Sequence, residues 1–111
     1  MRNLILNKYE MMWLFIFFDL PVTEKEERKE AADFRNFLLD NGFSMTQYSV
    51  YIRVFSGKDA CEKYYKLIGA NLPAGGKVDI LMVTDRQYSN IVSFRGRKKV
   101  KQKARNQLLL F

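Results

Sequence analysis

From Met12 to Phe18 the chain reads MWLFIFF, apolar at every position, and the run stops at Asp19, Leu20 and Pro21. A strand that is apolar at successive positions is buried on both faces, and the aromatic and β-branched residues here favour strand over helix. Pro21 breaks the pattern. Thr23 and Glu26 then have the spacing of a capping box, which predicts a helix over Glu24 to Asp40. Ala31, Phe34 and Leu38 recur along it at helical spacing, and Asn41-Gly42 supplies a left-handed stop. In FSMTQYSVYIRVF, residues 43–55, Tyr48, Val50, Ile52 and Val54 alternate with Gln47, Ser49, Tyr51, Arg53 and Phe55, which is strand periodicity. The segment is long for one strand, so a bend or bulge near Thr46-Gln47 is expected to divide it in two.

Ser56-Gly57 closes the strand pair, and Ser56 with Asp59 is placed to cap a second helix whose apolar stripe is Cys61, Tyr64, Tyr65 and Ile68. Asn71 to Gly76 turns the chain. Val78 to Thr84 reads as an apolar strand with Asp79 as its one charge, Thr84-Asp85-Arg86-Gln87 as a turn, and Asn90 to Phe94 as a short strand. The order predicts an α+β, ferredoxin-like βαββαβ domain over residues 1–94, with an additional short C-terminal strand. Residues 1–10 form a ragged N-terminal extension to it, and residues 95–111 a basic C-terminal tail. Two helices cover one face of such a sheet. The two-sided apolar strands therefore need a second cover, and a symmetric copy of the same chain supplies it, giving a face-to-face homodimer.

A length of 111 residues matches one domain. The longest apolar run, Met11 to Phe18, falls far short of the roughly 20 residues needed to span a bilayer. Asp19 follows it directly, without the small-residue site of a cleavable signal, so neither a membrane segment nor a secretory leader is expected. One cysteine, Cys61, precludes an intrachain disulfide, consistent with a cytoplasmic protein. Histidine is absent, which removes imidazole-based nucleophile pairs and zinc sites from consideration. Carboxylates are left as the good metal ligands, and they suit Mg2+ or Mn2+.

The net charge of +7 is concentrated near the C-terminus. Arg95, Arg97, Lys98, Lys99, Lys101, Lys103 and Arg105 occur with no acid among them, while the remaining basic and acidic residues cancel. Such a run stays extended by self-repulsion and binds nucleic acid, or else is a solvated terminus. Asp19, at the carboxyl end of a central strand, is the candidate for chemistry. One carboxylate is too few for a metal, but a twofold dimer pairing the first strands doubles it, enough to hold one magnesium ion for phosphodiester hydrolysis. The competing role is capping of the loop through Leu20-Pro21-Val22-Thr23. Ala74-Gly75-Gly76-Lys77 reads as a turn rather than a phosphate loop. Tyr48, Tyr51 and Phe55 suggest base stacking on a sheet, but the glycine-containing motif of that RNA-binding fold is missing, and aromatic pairs on a dimerising sheet are the favoured use.

FFDLP, Glu26-Glu27-Arg28, LLDNGF, QYSVYIRV and LMVTDRQY together resemble CRISPR-associated protein 2, in the versions that accompany single-effector (type II) systems. The resemblance runs from about Met12 to Phe94. It implies a subunit of spacer acquisition that dimerises, binds duplex DNA and bridges copies of its partner, the CRISPR-associated protein 1 integrase, together with metal-dependent endonuclease activity. Asp19 falls on the shared catalytic and metal-binding aspartate, Arg28 on a basic nucleic-acid-binding position, and Tyr51 on the aromatic that closes the Q-[FY]-S-V segment. Phe18 stands where a tyrosine often precedes the aspartate, and Met45 where an arginine often precedes the glutamine. A stand-alone toxin-type endoribonuclease and a non-catalytic RNA-binding module are the alternatives.

Overall fold

The structure, a computed structural model, describes residues 10–102. Its elements are β1 (Met12–Asp19), α1 (Lys25–Asp40), β2 (Ser44–Gln47), β3 (Val50–Phe55), α2 (Lys58–Gly69), β4 (Lys77–Thr84), α3 (Asp85–Ser89), β5 (Ser93–Arg95) and β6 (Lys98–Val100). The first four strands form one antiparallel sheet in the order β2-β3-β1-β4, the ferredoxin-like arrangement. Strand β1 is central: Phe15 sits opposite Ile52 on one side and Leu81 on the other. Among the described residues no helix is long and apolar enough to cross a membrane.

Because side chains alternate along a strand, β1 divides its apolar residues between two faces. Leu14, Ile16 and Phe18 join Tyr51, Phe55, Phe34, Leu38, Cys61 and Ile68 in the main core beneath α1 and α2. The end of α1 shows how local sequence sets this packing. Gly42 takes φ +82°, its N–H donates to the Leu39 carbonyl, and the Phe43 N–H donates to the Leu38 carbonyl, so the chain reverses with buried Phe43 against the helix. Arg53 fastens this corner. Its guanidinium donates to the Asn41 carbonyl at 2.7 Å and lies over the Phe55 and Tyr64 rings. A hydrogen bond to Arg53 holds the Tyr64 hydroxyl below the usual tyrosine range.

Several local expectations shift. At the start of α1 the cap moves from Thr23 to Glu24, whose N–H is taken up by the Glu27 carboxylate at 2.8 Å. Helix α2 starts from Gly57 rather than a Ser56 cap, and Tyr65 leaves the predicted stripe to stand half exposed. The divided strand is a hairpin: the register shifts between Met45 and Gln47, as expected, but the reversal itself falls at Tyr48-Ser49. Tyr48 therefore lies at a turn and not on the Val50 face. Tyr51 and Phe55 are buried under the helices, which removes them from any exposed stacking surface.

The largest difference is at Thr84 to Gln87, which begins helix α3 rather than a turn. Thr84 caps it: its hydroxyl accepts from the Gln87 N–H at 3.1 Å while its own N–H donates to the Gln87 side chain at 2.9 Å. Helix α3 folds onto the second face of the sheet, stacking Tyr88 on Trp13 with ring centroids 3.6 Å apart and planes within 7°. The Trp13 indole N–H donates to the Asp85 carboxylate at 2.8 Å. This second cluster, with Ile52 and Val54, covers one end of the face. At the other end Phe17 is 36% and Leu81 48% exposed.

Candidate functional site

Asp19 ends β1 on this second face. Trp13, Phe15, Phe17 and Asp19 share a parity, and in register opposite them stand Val83, Leu81, Asp79 and Lys77 of β4. The exposed end of the face thus passes from apolar, at Phe17 and Leu81, to charged, at Asp19, Asp79 and Lys77. The backbone at this point is closely packed. Gly76 has φ +85°, and a Cβ there would lie 2.6 Å from the Asp19 carbonyl oxygen, so only glycine lets β4 begin opposite Asp19.

The β2–β3 turn closes the other side of the site. The Ser49 carbonyl accepts the Phe18 N–H at 3.1 Å, and Ser49 itself adopts φ 62°. An open cavity of about 350 Å³ results, lined by Phe17, Asp19, Tyr48, Val50, Lys77 and Asp79 among others. The Lys77 ammonium lies 3.6 Å from an Asp79 carboxylate oxygen. Among the described residues the Asp19 carboxylate makes no hydrogen bond or ion pair, and no group of three or more carboxylate or cysteine ligands gathers within the chain. One protomer offers one uncommitted hard-oxygen ligand, which fits a magnesium or manganese ion only if a second carboxylate comes from elsewhere.

Arg28 does not line this cavity. One of its terminal nitrogens donates to the Val22 carbonyl at 3.2 Å and the Thr23 carbonyl at 2.7 Å, bracing the loop between β1 and α1. Tyr51 stacks with Phe18 inside the core, on the opposite face of the sheet from Asp19. Phe18 also meets Phe34 edge to face at 5.4 Å, so the position before the aspartate is filled by a packing residue. Met45 is exposed on β2.

The basic run begins as a hairpin rather than as an extended tail. Arg95 closes β5, Gly96 and Arg97 form the turn with Gly96 at φ +64°, and Lys98 and Lys99 open β6. Arg95 pairs directly with Lys98, and like charges opposite each other oppose that pairing unless an anion lies between or beside them. Arg95, Arg97, Lys98, Lys99 and Lys101 are all exposed. Lys103, Arg105 and the apolar end Leu108 to Phe111 lie outside the described residues, as do residues 1–9 of the N-terminal extension. A cavity of about 560 Å³ lies between the hairpin and the edge strand β2, with Met45 and Gln47 on one side and Phe94 and Lys101 on the other.

Lys77 is a member of the Asp19 cavity that patterning did not single out, while Tyr48, noted as a candidate for base stacking on the sheet, joins the cavity from the β2–β3 turn instead. Lys77 read as the end of a glycine turn, and its place opposite Asp19 follows from the β1–β4 register.

Residues 12–91 match the protein family described as CRISPR associated protein Cas2. The chain is 46% identical over 108 residues to the "CRISPR-associated endoribonuclease Cas2" of Paracidovorax avenae, covering 96% of this chain and all of that protein. It is 43% identical over 107 residues to the protein of the same name from Flavobacterium psychrophilum, covering 96% of this chain and 93% of that one. To the one from Ligilactobacillus salivarius it is 43% identical over 101 residues, covering 89% of this chain and all of the relative.

Proposed function

The chain belongs to the Cas2 family of CRISPR-associated proteins, and from that premise we propose that it acts as a homodimeric subunit of spacer acquisition. It binds duplex DNA through its basic hairpin, partners the CRISPR-associated protein 1 integrase, and carries a metal-dependent phosphodiesterase site at Asp19. The observation that carries this reading is the half-bare second face of the sheet: exposed Phe17 and Leu81 border an uncommitted carboxylate at the strand end. Burying the apolar part against a second copy removes it from water at roughly 25 cal/mol per Å². The same twofold brings a second Asp19 to the edge of the contact.

In the proposed dimer the two Asp19 carboxylates would hold one Mg2+ or Mn2+. When bound, that ion supplies charge stabilisation for the phosphodiester and lowers the pKa of a water. The chain's own contribution is positional. Gly76 and the Ser49 carbonyl lock the end of β1, and Lys77 offers a cation to a phosphate oxygen beside Asp19. Arg95, Arg97, Lys98, Lys99 and Lys101 contact phosphates of the duplex away from the site, where they set affinity without reading sequence.

Asp19→Asn retains the shape of the carboxylate and removes its charge. Cleavage by wild type is expected to require Mg2+ or Mn2+ and to fall to background in the variant, while sedimentation still gives a dimer. Equal cleavage by both proteins would remove Asp19 from the chemistry. Replacing the five described basic residues by glutamine should flatten the dependence of log affinity for duplex on log salt by about 4.5, at roughly 0.9 per phosphate contact.

The second reading, a stand-alone endoribonuclease, is favoured by the name carried by the relatives. Co-purification with the integrase supports the first reading, and growth arrest on expression without it supports the second.

A further inference from the structure

Tyr48 is 85% exposed at the tip of the β2–β3 turn, the most exposed of the large apolar and aromatic side chains among the described residues. Among those residues it makes no hydrogen bond and no ring contact. Its backbone is nevertheless well held. Gln47 and Val50 pair across the turn, Ser49 takes the left-handed conformation that closes it, and the Ser49 carbonyl ties the tip to the N–H of Phe18, next to Asp19. An aromatic ring on a tethered turn loses little freedom on binding, and its bare face is free for a flat partner. Phe17 also lines the Asp19 cavity, but it lies with Leu81 in the body of the sheet, where a second protein surface can cover both, whereas Tyr48 stands on the turn at the rim beside Asp19 and Lys77.

We propose that Tyr48 is a stacking platform for an unpaired nucleobase, which it sets beside Asp19 while Lys77 takes the adjoining phosphate. This deepens the proposed phosphodiesterase reading by assigning a substrate-positioning residue to that site. Chemistry selects the ligand: every nucleobase has a π face that stacks on tyrosine, and the phosphate attached to it matches Lys77, the one cation lining the cavity, whose exposed 3.6 Å contact with Asp79 is weak enough to exchange. A base inside a duplex is already stacked on its neighbours, so the platform discriminates in favour of single strands or frayed ends.

The test is fluorescence anisotropy with a labelled single-stranded DNA 12-mer and the corresponding duplex, both in EDTA, so that neither metal binding nor cleavage enters. Tyr48→Ala should weaken single-strand binding about fivefold or more. Tyr48→Phe and Tyr48→Trp should retain it, and duplex affinity should be unchanged in all three. Lys77→Gln should also weaken single-strand binding and flatten its salt dependence by about 0.7. The proposal is overturned if Tyr48→Ala binds the single strand as wild type does, or if Phe and Ala lose affinity equally. It is also overturned if Tyr48→Ala shifts sedimentation to monomer, which would make the ring an intersubunit contact. Loss of single-strand binding in Tyr48→Ala alongside undiminished cleavage by Asp19→Asn would sink the metal-site reading and leave the platform standing.

Discussion

The two faces of the sheet are built from equally apolar residues of the same strands and end in different states. Under α1 and α2, Leu14, Ile16 and Phe18 are at most 7% exposed, and Phe18 meets the Phe34 and Tyr51 rings at distances typical of a filled interior. On the opposite face a five-residue helix covers Trp13 at one end, and the apolar surface runs out uncovered at Phe17 and Leu81 before reaching Asp19. Apolarity on both sides of a strand therefore reports two different needs. One face specifies the monomer fold, and the other holds a surface in reserve next to the charged end of the sheet.

Substitutions on the two faces should separate these roles. On the covered face, Phe34→Ala opens a cavity in the main core and should cost about 3–5 kcal/mol of stability in urea denaturation. On the bare face, Leu81→Glu should change monomer stability by about 0.5 kcal/mol or less while removing the proposed dimer in sedimentation. If Leu81→Glu instead unfolds the chain, the bare end belongs to the monomer core and the contrast fails.

The intermediate case is the α3 end of the second face. Tyr88→Ala removes the ring stacked on Trp13, and because a short helix can settle partway into the gap, the loss should be about 2–3 kcal/mol. Trp13 is the only tryptophan in the chain, so its emission reports the event directly. A red shift without loss of the main cooperative transition would show that the two clusters are separable.

A smaller effect, visible at alkaline pH, couples the two faces. Burial, with a lesser contribution from Glu62, pushes the Cys61 thiol up to about 11, and burial with Asp85 raises the Tyr88 phenol. Each acid is held protonated in the folded chain. Their contribution is complete below the unfolded values of 9.0 and 10.0 and declines as pH rises through the folded ones. Stability should therefore fall between pH 9 and about 11 for Cys61 and above pH 10 for Tyr88. The slope of the urea midpoint over pH 9 to 11 should be reduced in Cys61→Ala. At pH 8 a thiol reagent should label Cys61 only as fast as the protein opens.

At the bottom of the scale is the outer side of α1. Lys29 and Asp33 pair at 2.9 Å one turn apart, with side chains 77% and 62% exposed. Screening and side-chain entropy cancel most of the attraction, so Lys29→Ala should leave the urea midpoint unchanged within error. That result, set against the loss in Phe34→Ala one residue beyond Asp33, would show that stability comes from the inward side of the helix.

Some of this was legible from residues alone. MWLFIFF has no polar position to expose, so β1 had to be central, and its apolar run ends at Asp19 because the carboxylate cannot follow it inside. Asn41-Gly42 marked the end of α1 because a left-handed residue there is a local requirement. Helix α3 was not legible by periodicity, since five residues make little more than one turn. Its capping residues, Thr84 and Gln87, were in plain view, but what holds it to the sheet is Trp13, and the Trp13–Asp85 bond spans 72 positions. Tyr48 was assigned to the Val50 face because alternation was carried through a position where the chain reverses. The run from Arg95 to Lys99 was read as self-repelling, and charge counting does not register that Ser93 and Phe94 pair back on Val100 and Lys99.

The sequence by itself determined strands β1 to β4 and helices α1 and α2, the ferredoxin-like order, the position of Asp19 at a strand end and the location of the excess charge. These depend on neighbours a few residues apart, where backbone dihedrals and side-chain periodicity act. Only the tertiary structure decided which parity of each strand lies under the helices, that α3 closes one end of the second face, and that Lys77, Asp79 and Tyr48 gather around Asp19. Those outcomes depend on strand register and on the direction of the crossovers, and a shift of a single residue in register exchanges the two faces of a strand.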